Sequence, residues 1–495
     1  MRARPSEPVA TGRIWVGRLR FGAAIAVGRI TAVLTRLVGH HGTALPGLVA
    51  ERLDSALLGR LGRDLGPVVI VLGTNGKTTT TRLLARILER VNGSPPITNR
   101  SGANLRQGVV TALLERRPST AGPPAQVPAV FEVDELAFAA LAPTLRPTVV
   151  VVLNLLRDQL DRYGEIDTLE ERWVRDFTRL PSTTTLVACA DDPRVEAVAR
   201  RSRRTVVRFG LGESQGLAAG ALDARVGQRP PAMRDIPGCP SCGTRVVFGE
   251  LAANGLGDWT CPACETRRAA PDLAVTMGGT DATGWLQLTF GGPSVNRTLP
   301  ATPRSARVRL SGSAGAYDAA AAVLAAMALG IDRADAIAAV DGATPAFGRL
   351  EEVEIGGKRI VLTLAKNPAS VAQAAEAAAV RSPDGLLIGL GDRPADGRDV
   401  SWIWDSEIEG LPTVESVTLT GSRADDLALR FKYATGDGRS LERRPLVERA
   451  VDRALDASLG RIRPGGTLMV LATYTTMLGI RRVLQQRGAV PALPG

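Results

Sequence analysis

Eight residues, Gly73-Thr-Asn-Gly-Lys-Thr-Thr-Thr80, combine residue types and a spacing that suit phosphate binding. They follow an apolar run, Val68 to Leu72, and lead into a helical pattern from Leu83 to Leu88. A glycine turn between a strand and a helix lets backbone N–H groups face one anion, while a lysine adds positive charge and a threonine hydroxyl can hold Mg²⁺. We therefore predict that ATP or GTP binds at Gly73, Thr74, Asn75, Gly76, Lys77, Thr78 and Thr79, with Thr78 also on the metal.

The two glycines of this loop are closer together than usual. Only Thr74 and Asn75 separate Gly73 from Gly76, where the common phosphate loop has a longer insertion. A chance glycine turn before a helix is the alternative. The lysine followed by three threonines, after a β-branched strand, favours nucleotide binding.

Polar side chains follow two further strand patterns. Glu132-Val-Asp-Glu135 closes the run Ala129 to Phe131, and the segment from Asn154 to Gly164 closes the run Val149 to Leu153. Because the carboxyl ends of parallel strands meet at one sheet edge, where such folds bind ligands, we place Glu132 on Mg²⁺ and Asn154 at the nucleotide. Ordinary helix N-caps would explain Asp158 but not the whole arrangement.

Four of the five cysteines form two Cys-x-x-Cys knuckles, Cys239 with Cys242 and Cys261 with Cys264. Their separation is about that of a zinc ribbon, in which four thiolates close a tetrahedral site and leave no position for water. A structural zinc is predicted. A pair of disulfides would need an oxidising compartment, and no signal peptide is seen. Cys189 lies in an apolar run and is predicted to be a buried strand residue.

Histidine is scarce and arginine abundant. The two histidines are His40 and His41, so a nucleophilic site or general base that needs histidine would have to use this pair. The formal charge is +11 and the pI about 10.1. Arginines concentrate before residue 37 around an apolar stretch from Phe21 to Val38, which Arg29 and Arg36 interrupt.

That interruption predicts no transmembrane segment. A helix on an anionic membrane surface and a helix packed on its own domain with its arginines outward both fit the pattern. The expected location is the cytoplasm, including the inner face of the plasma membrane.

The alternation of strand and helix patterns predicts an α/β fold with a parallel-rich central sheet covered on both faces. We divide the chain into a basic helical segment, 1–45, an ATPase domain, 46–304, and a C-terminal α/β domain, 305–495. The cysteine module, about 230–270, reads as an insertion in the ATPase domain. An alanine-rich helix is expected from Ala314 to Leu329.

Taken together, the motifs resemble the Mur ligase superfamily. They are GTNGKTTT at 73–80, NRSGAN at 99–104, Glu132, the 154–163 segment, Asp191-Asp192 and Phe347-Gly-Arg-Leu350. The inserted four-cysteine ribbon and the runs 395–405 and 471–475 are similar to its MurT branch, the synthetase subunits of lipid II isoglutaminyl synthase. The resemblance covers about residues 40 to 485.

This resemblance implies a Mur ligase-like P-loop ATPase domain followed by a Rossmann-like domain. It implies ATP-dependent amidation, through an acyl phosphate, of the D-glutamate α-carboxylate of lipid II at the inner membrane face. The ammonia would come from a GatD-type glutaminase subunit. Arg349 would then reach the nucleotide from across the domain cleft.

Three departures from the ordinary Mur pattern bear on the chemistry. Gln159 stands where those ligases have a metal-binding histidine, and the segment Leu169 to Leu180 has no lysine to be carbamylated, so a second Mg²⁺ is not expected. Thr363 stands in place of an aspartate that contacts the nucleotide. A simplified C-terminal domain suits ammonia, which needs no pocket for a side chain.

Three acidic residues, Asp396, Asp399 and Asp405, surround the aromatic run Trp402-Ile-Trp404. One of them could orient the histidine of a partner's Cys-His pair, completing a triad across an interface. Solvated loop acids are the equal alternative.

Two other function classes remain open on the sequence. One is a single-chain ligase of the Mur or folylpolyglutamate type, which would need an amino acid and no glutaminase. The other is a nucleic-acid-binding ATPase, favoured by the charge and the ribbon. The ribbon offers no stacking aromatics beyond Phe248 and Trp259, and no helicase-like motif follows the loop, so we predict no nucleic-acid partner.

Overall fold

A computed structural model describes residues 9–37, 44–99, 103–116, 126–156, 166–212, 237–251, 256–281, 284–292, 302–310, 312–344, 348–434 and 445–491. The α-helices of this part of the chain are α1 Val9–Leu37, α2 Leu45–Leu53, α3 Leu57–Leu61, α4 Lys77–Asn92, α5 Arg106–Glu115, α6 Phe138–Leu145, α7 Ile166–Thr178, α8 Pro193–Arg201, α9 Gly312–Ala328, α10 Arg333–Val340, α11 Pro368–Arg381, α12 Ala424–Tyr433, α13 Val451–Arg461 and α14 Tyr474–Gln486. The strands are β1 Leu65–Leu72, β2 Ile97–Thr98, β3 Val127–Glu132, β4 Val149–Val152, β5 Thr185–Cys189, β6 Thr205–Leu211, β7 Val247–Leu251, β8 Gly257–Thr260, β9 Leu273–Thr280, β10 Leu286–Gly291, β11 Arg304–Val308, β12 Arg349–Ile355, β13 Lys358–Leu364, β14 Gly385–Gly389, β15 Ser416–Thr420, β16 Leu446–Val447 and β17 Thr467–Ala472.

The first sheet has nine strands within the described residues, in the order β11-β10-β9-β6-β5-β4-β1-β3-β2. Seven of these strands, in the order β2-β3-β1-β4-β5-β6-β9, pair in parallel, and β10 and β11 add an antiparallel edge. Strand β1 lies between β3 and β4, with Val71 opposite Glu132 and Leu72 opposite Val152. The carboxyl ends of β1, β3 and β4 therefore meet at one edge, as the sequence predicted.

Burial on both faces explains why these strands are nearly all apolar. All four valines of β4 are buried, and so are the last five residues of β1. The alanines of α9 allow this helix to lie close to the sheet, and its side chains join the core of the first domain. The alanine-rich helix was thus predicted to within two residues at its start and one at its end.

The cysteine module is inserted between β6 and β9, which are adjacent parallel strands with Phe209 opposite Leu273. It contains the antiparallel pair β7 and β8. The side chain of Trp259 is fully buried, and its Nε1 donates to the carbonyl of Ala190, just after β5. The module is therefore anchored to the end of the sheet by its own aromatic residue.

The second sheet has six strands in the described part of the chain, in the order β12-β13-β17-β14-β15-β16. All pair in parallel except the hairpin of β12 with β13. Helices α11 and α12 pack on one face, and α13 and α14 on the other. This is the second α/β domain that the sequence predicted.

By its packing, the second domain starts later in the chain than the predicted residue 305. Side chains of β11, α9 and α10, up to Ala343, belong to the core of the first domain, and the second core begins at Leu350. The apolar faces of α9 and α10 lie against the first sheet, so the change of core falls between residues 344 and 350.

Helix α1 packs along α2 and α5 on the first domain. Among the helices that the structure describes, none combines the length and the apolar content needed to cross a membrane. Several residues that the sequence singles out lie outside the described residues: His40, His41, Asp158, Gln159 and Phe347.

Candidate functional site

The glycine loop is built for a backbone that other residues cannot adopt. Gly73 and Gly76 have φ angles of 139° and 89°, in the region that favours glycine. A Cβ atom added at Gly76 would lie 2.2 Å from Oδ1 of Asp318, and one at Gly73 would lie 2.8 Å from Cβ of Leu153. Helix α4 begins immediately afterwards, at Lys77, so its N-terminus adjoins the loop.

Asn154 shapes this loop from the end of β4. Its Oδ1 accepts a hydrogen bond from the Asn75 amide at 2.9 Å, and its Nδ2 donates to the Asn75 carbonyl at 3.1 Å. The Thr74 hydroxyl is tied in the same way to the backbone of Leu156. The side chains of Asn154 and Thr74, both predicted to bind the nucleotide, thus make hydrogen bonds that fix the loop backbone.

Lys77 is held inside the loop by an ion pair. Its Nζ lies 2.8 Å from Oε1 of Glu135 and also donates to the carbonyl of Gly73. Burial alone would lower the pKa of Lys77, but the nearby carboxylates of Glu135, Glu132 and Asp134 outweigh it and raise the pKa. The ammonium group therefore stays charged although it is shielded from water.

Glu132 supplies a buried carboxylate beside that ammonium group. It is 4% exposed, and its Oε2 has no hydrogen-bond partner among the described residues. Burial raises the pKa of Glu132, against the lowering effects of a hydrogen bond from Thr78 and of the cations Lys77, Arg349 and Lys366. A buried oxygen without a partner is costly unless a cation or water completes it.

The chemistry of these donors fits Mg²⁺. A carboxylate and a hydroxyl are the hard oxygen ligands that this ion takes in nucleotide sites, and Thr78 and Glu132 contact one another. The backbone of Glu132 is fixed by Asn99, whose Oδ1 accepts from the Glu132 amide at 3.1 Å and whose Nδ2 donates to its carbonyl at 2.7 Å. Asn99 thus positions the predicted metal ligand.

A cleft opens beside the loop, between the two domains. The first domain contributes Asn75, Gly76 and Asp318, and the second contributes Arg349 and Gln373. Arg349 lies between Gly348 and Leu350, both with positive φ angles of about 64° and 63°. A leucine in this conformation is strained, and such strain concentrates at functional positions.

Two asparagine side chains join the domains next to this cleft. Asn75 Nδ2 lies 3.4 Å from Asn367 Oδ1, and Asn367 Nδ2 lies 3.2 Å from Asn75 Oδ1. Asn367 also caps α11, where its side chain accepts from the Ser370 amide. The second domain therefore contacts the glycine loop directly through the start of a helix.

The predicted Asp191-Asp192 pair has its own role at the end of β5. Asp191 accepts from Tyr317 Oη at 2.7 Å and from Arg268 at 2.9 Å, which links α9 to the cysteine module. Asp192 caps α8 and accepts from the Leu155 amide at 2.8 Å, next to Asn154. Both carboxylates thus brace the neighbourhood of the loop.

The four knuckle cysteines converge as the sequence predicted. The Sγ atoms of Cys239, Cys242, Cys261 and Cys264 all lie within 4.8 Å of one another. Hydrogen bonds from Thr244 lower the pKa of Cys242, and those from Thr266 lower the pKa of Cys264. Thiolates at this spacing suit a tetrahedral Zn²⁺, which their geometry could hold.

The three acids of the C-terminal domain have different surroundings. Asp396 is buried and accepts from the Thr475 amide at 2.7 Å, at the start of α14. Asp399 is exposed and accepts from the Ser401 amide at 2.8 Å, and Asp405 is half-buried. Asp399 therefore presents the most accessible carboxylate of the three.

Arg430 holds the segment that carries Asp399 and Asp405. Its guanidinium donates to the carbonyls of Ile403 and Ser406 at 3.0 and 2.8 Å and pairs with Glu409. Trp404 stacks beside it and remains 45% exposed. A buried cation thus gives this surface segment a defined shape.

Sequence reasoning missed Glu135, Asp318 and Asn367. In the run Glu132-Val-Asp-Glu135, the sequence pattern predicts a role for Glu132 and none for Glu135. Asp318 lies mid-helix among alanines, where a lone carboxylate on an apolar face is a signal of burial. Asn367 before Pro368 has the pattern of a helix N-cap.

Comparison with known proteins assigns the family. Models described as "Mur ligase middle domain" and "MurT ligase C-terminal" match residues 71–228 and 364–477. A Streptococcus pneumoniae protein named "Lipid II isoglutaminyl synthase (glutamine-hydrolyzing) subunit MurT" is 30% identical over 464 residues, covering 92% of this chain and 95% of that protein. The chain belongs to the MurT family of Mur ligases.

Other relatives agree with this assignment. A MurT protein from Staphylococcus aureus, strain COL, is 28% identical over 93% of this chain and 96% of its own length. The fold matches a pseudomurein peptide ligase type C from Methanothermus fervidus, with a TM-score of 0.62 and 19% identity over 85% of this chain and 79% of that one. MurF ligase from Thermotoga maritima in complex with ADP gives a TM-score of 0.57 at 16% identity over 88% and 85%. This MurT-family chain is therefore an enzyme of the ligase class with the Mur ligase fold.

Proposed function

We propose that this chain is the ATP-dependent synthetase subunit that amidates the D-glutamate α-carboxylate of lipid II, giving D-isoglutamine. The observation that carries the proposal is the buried Oε2 of Glu132, which lies beside Lys77 and Thr78 and has no hydrogen-bond partner in the described part of the chain. The relatives of this chain are named lipid II isoglutaminyl synthase subunits. The substrate is membrane-linked, so the enzyme works at the inner face of the membrane.

Lys77, the loop amides and Arg349 bind the ATP phosphates in this proposal. Lys77 exchanges its contacts with Glu135 and Gly73 for the β- and γ-phosphates, and Arg349 approaches from the second domain. Thr78 and Glu132 would hold Mg²⁺, which supplies charge neutralisation for the transferring phosphoryl group. One magnesium is expected, because the α7 segment has no lysine that carbamylation could turn into a ligand.

The reaction has two steps. A carboxylate oxygen of the substrate bonds to the γ-phosphorus while the bond to ADP breaks, which leaves an acyl phosphate. The ammonia nitrogen then bonds to the acyl carbon, phosphate leaves with the C–O bond electrons, and the nitrogen loses a proton. The protein contributes charge and alignment, which the close approach of the two domains supports.

The ammonia source in this proposal is a GatD-type glutaminase. Cys189, the cysteine outside the knuckles, is fully buried, and burial raises its pKa well above the ordinary value. A buried thiol with a raised pKa is a poor nucleophile. Glutamine hydrolysis therefore belongs to a partner, and Asp399 or Asp405 would orient the partner's histidine.

Reconstitution tests the amidation. The chain is co-purified with a glutaminase and incubated with lipid II, ATP, Mg²⁺ and glutamine, and the product is weighed by mass spectrometry. Conversion of carboxylate to amide lowers the mass by about one unit, and Lys77→Ala should lower the rate about 10²- to 10³-fold. Arg82→Ala, an exposed cation on the same helix, is the matched control. ATP turnover that requires an amino acid and no glutaminase would instead support a single-chain ligase.

The triad hypothesis has a separate test. Asp396→Asn, Asp399→Asn and Asp405→Asn complexes are assayed for glutamine hydrolysis and, with ammonium chloride, for amidation. One variant should lose hydrolysis about 10²-fold or more while it keeps ammonia-dependent amidation. If all three variants hydrolyse glutamine normally, these residues are solvated loop acids.

A further inference from the structure

Helix α1 has two apolar faces, and the first packs on the protein. Phe21, Ala24, Gly28 and Ala32 lie on the packed side of this helix, which contacts α2 and α5. A Cβ atom added at Gly28 would lie 2.7 Å from Leu114 Cδ1 and 3.0 Å from Ala50 Cβ, so this face is in close contact. The contact fixes which side of α1 points away from the domain.

The second apolar face points outward. It consists of Leu19, Ala23, Ala26, Val27, Ile30, Val33, Leu34 and Leu37, all of them exposed. The six large side chains are between 36% and 78% exposed. At about 100° per residue these positions fill an arc of about 120°, centred opposite the packed face, and at about 1.5 Å per residue the stripe is about 27 Å long. We call these eight residues the outer stripe.

Charge on α1 has one sign. The segment 9–37 contains no aspartate or glutamate, and its described surface carries the exposed Arg18 and Arg20. On a helical wheel Arg20 lies on one side of the outer stripe and Arg18 on the other. Arg29 lies on the same side as Arg18. Its guanidinium donates hydrogen bonds to the carbonyls of Leu114 and Arg116 at the end of α5.

This arrangement is that of a helix lying in a membrane interface: a broad apolar face, cations on both borders and no acids. Because its other side packs on α2 and α5, helix α1 stays on the surface of the first domain. We infer that the outer stripe docks the enzyme on an anionic bilayer, with Arg18 and Arg20 at the headgroups. The inference deepens the proposed function, on which it rests for the reason why a membrane is the partner, since a lipid-linked substrate diffuses in that surface.

Vesicle flotation tests the docking. The full chain, alone and in its glutaminase complex, is mixed with vesicles of phosphatidylglycerol and phosphatidylcholine in equal parts, or of phosphatidylcholine alone. Binding should require the anionic lipid. Ile30→Gln with Leu34→Gln should weaken it about tenfold or more, and Arg18→Gln with Arg20→Gln about thirtyfold at low salt.

The control substitutes exposed valines of similar accessibility on other helices, Val91→Gln with Val380→Gln, and should bind like the wild type. Amidation of a water-soluble analogue without the lipid should be equal in all variants, whereas amidation of lipid II in vesicles should fall only in the α1 variants.

Four results would overturn the inference: no binding of the wild type to anionic vesicles, equal binding by the stripe variant, loss of binding when the glutaminase is present, or a wild-type dimer that the stripe variant converts to monomer. The last two would assign the stripe to a protein partner or to a second copy. Intact vesicle binding without amidation of either substrate would refute the proposed function and leave the docking standing.

Discussion

Replacing Asp318 with asparagine should make the protein more stable at high pH. Asp318 lies on α9 with its carboxylate against the loop, 3.3 Å from the Thr80 hydroxyl, and is 8% exposed. Burial raises its pKa from 3.8 to about 7, against the lowering effects of Arg349 and the hydroxyls of Thr80 and Thr79. Asparagine keeps the shape and the acceptor oxygen and cannot ionise.

The magnitude follows from linkage. Below pH 3.8 the carboxyl is protonated in both states, so it contributes no pH dependence. Between that value and about pH 7 the unfolded chain releases the proton and the folded chain keeps it, so stability falls as pH rises, by about 1.4 kcal/mol per unit. From pH 5 to pH 8 the advantage of Asp318→Asn over the wild type should therefore grow by about 2 to 3 kcal/mol, or about 3 to 5 °C in the melting temperature of the first domain.

Scanning calorimetry without nucleotide, at half-unit pH intervals, measures this difference. Asp335→Asn, at an exposed aspartate on α10, is the matched control, and its curve should run parallel to the wild type. A constant difference between Asp318→Asn and the wild type from pH 5 to pH 8 would refute the reasoning, since it would mean that Asp318 ionises in the folded protein as it does in the unfolded chain.

Three further predictions concern the loop, the ribbon and the C-terminal surface. Asn154→Ala removes two hydrogen bonds from the loop and should raise the dissociation constant of ATP about tenfold in a calorimetric titration, with Asn154→Asp intermediate because it keeps the acceptor. Chelation should remove one zinc per chain, measured by atomic emission, and lower the melting temperature of the first domain, because Trp259 and Arg268 anchor the ribbon there. Arg430→Met should lower glutamine-dependent amidation and spare ammonia-dependent amidation, because it releases the segment that carries Asp399.

The sequence was informative where chemistry is local. The glycine loop, the knuckles and the alternation of elements depend on neighbouring residues, and a general rule on parallel strands placed Glu132 at the same edge as Gly73. Registers in the structure agree, with Val71 opposite Glu132. The sequence could therefore predict that residues at the carboxyl ends of neighbouring parallel strands lie close together.

Contacts between residues far apart in the sequence could not be predicted from it. Asn75 and Asn154 are separated by 79 positions, and Asn75 and Asn367 by 292, so no periodicity reports their hydrogen bonds. The same holds for the start of the second domain, because α9 and α10 are apolar enough to cover either sheet. Which sheet they cover is decided by packing across the whole domain.

The parallel pairing of β6 with β9 gives the cysteine module a role in the topology of the first sheet. Two neighbouring strands that run in the same direction need a crossover, since the chain must travel back along the sheet before the second strand begins. In most such units an α-helix forms this crossover connection. Here the chain makes it by way of the cysteine knuckles, so the module could not be excised and closed with a tight turn. The fold of the cysteine module therefore affects how β9, and with it the antiparallel edge of β10 and β11, reaches its place in the sheet.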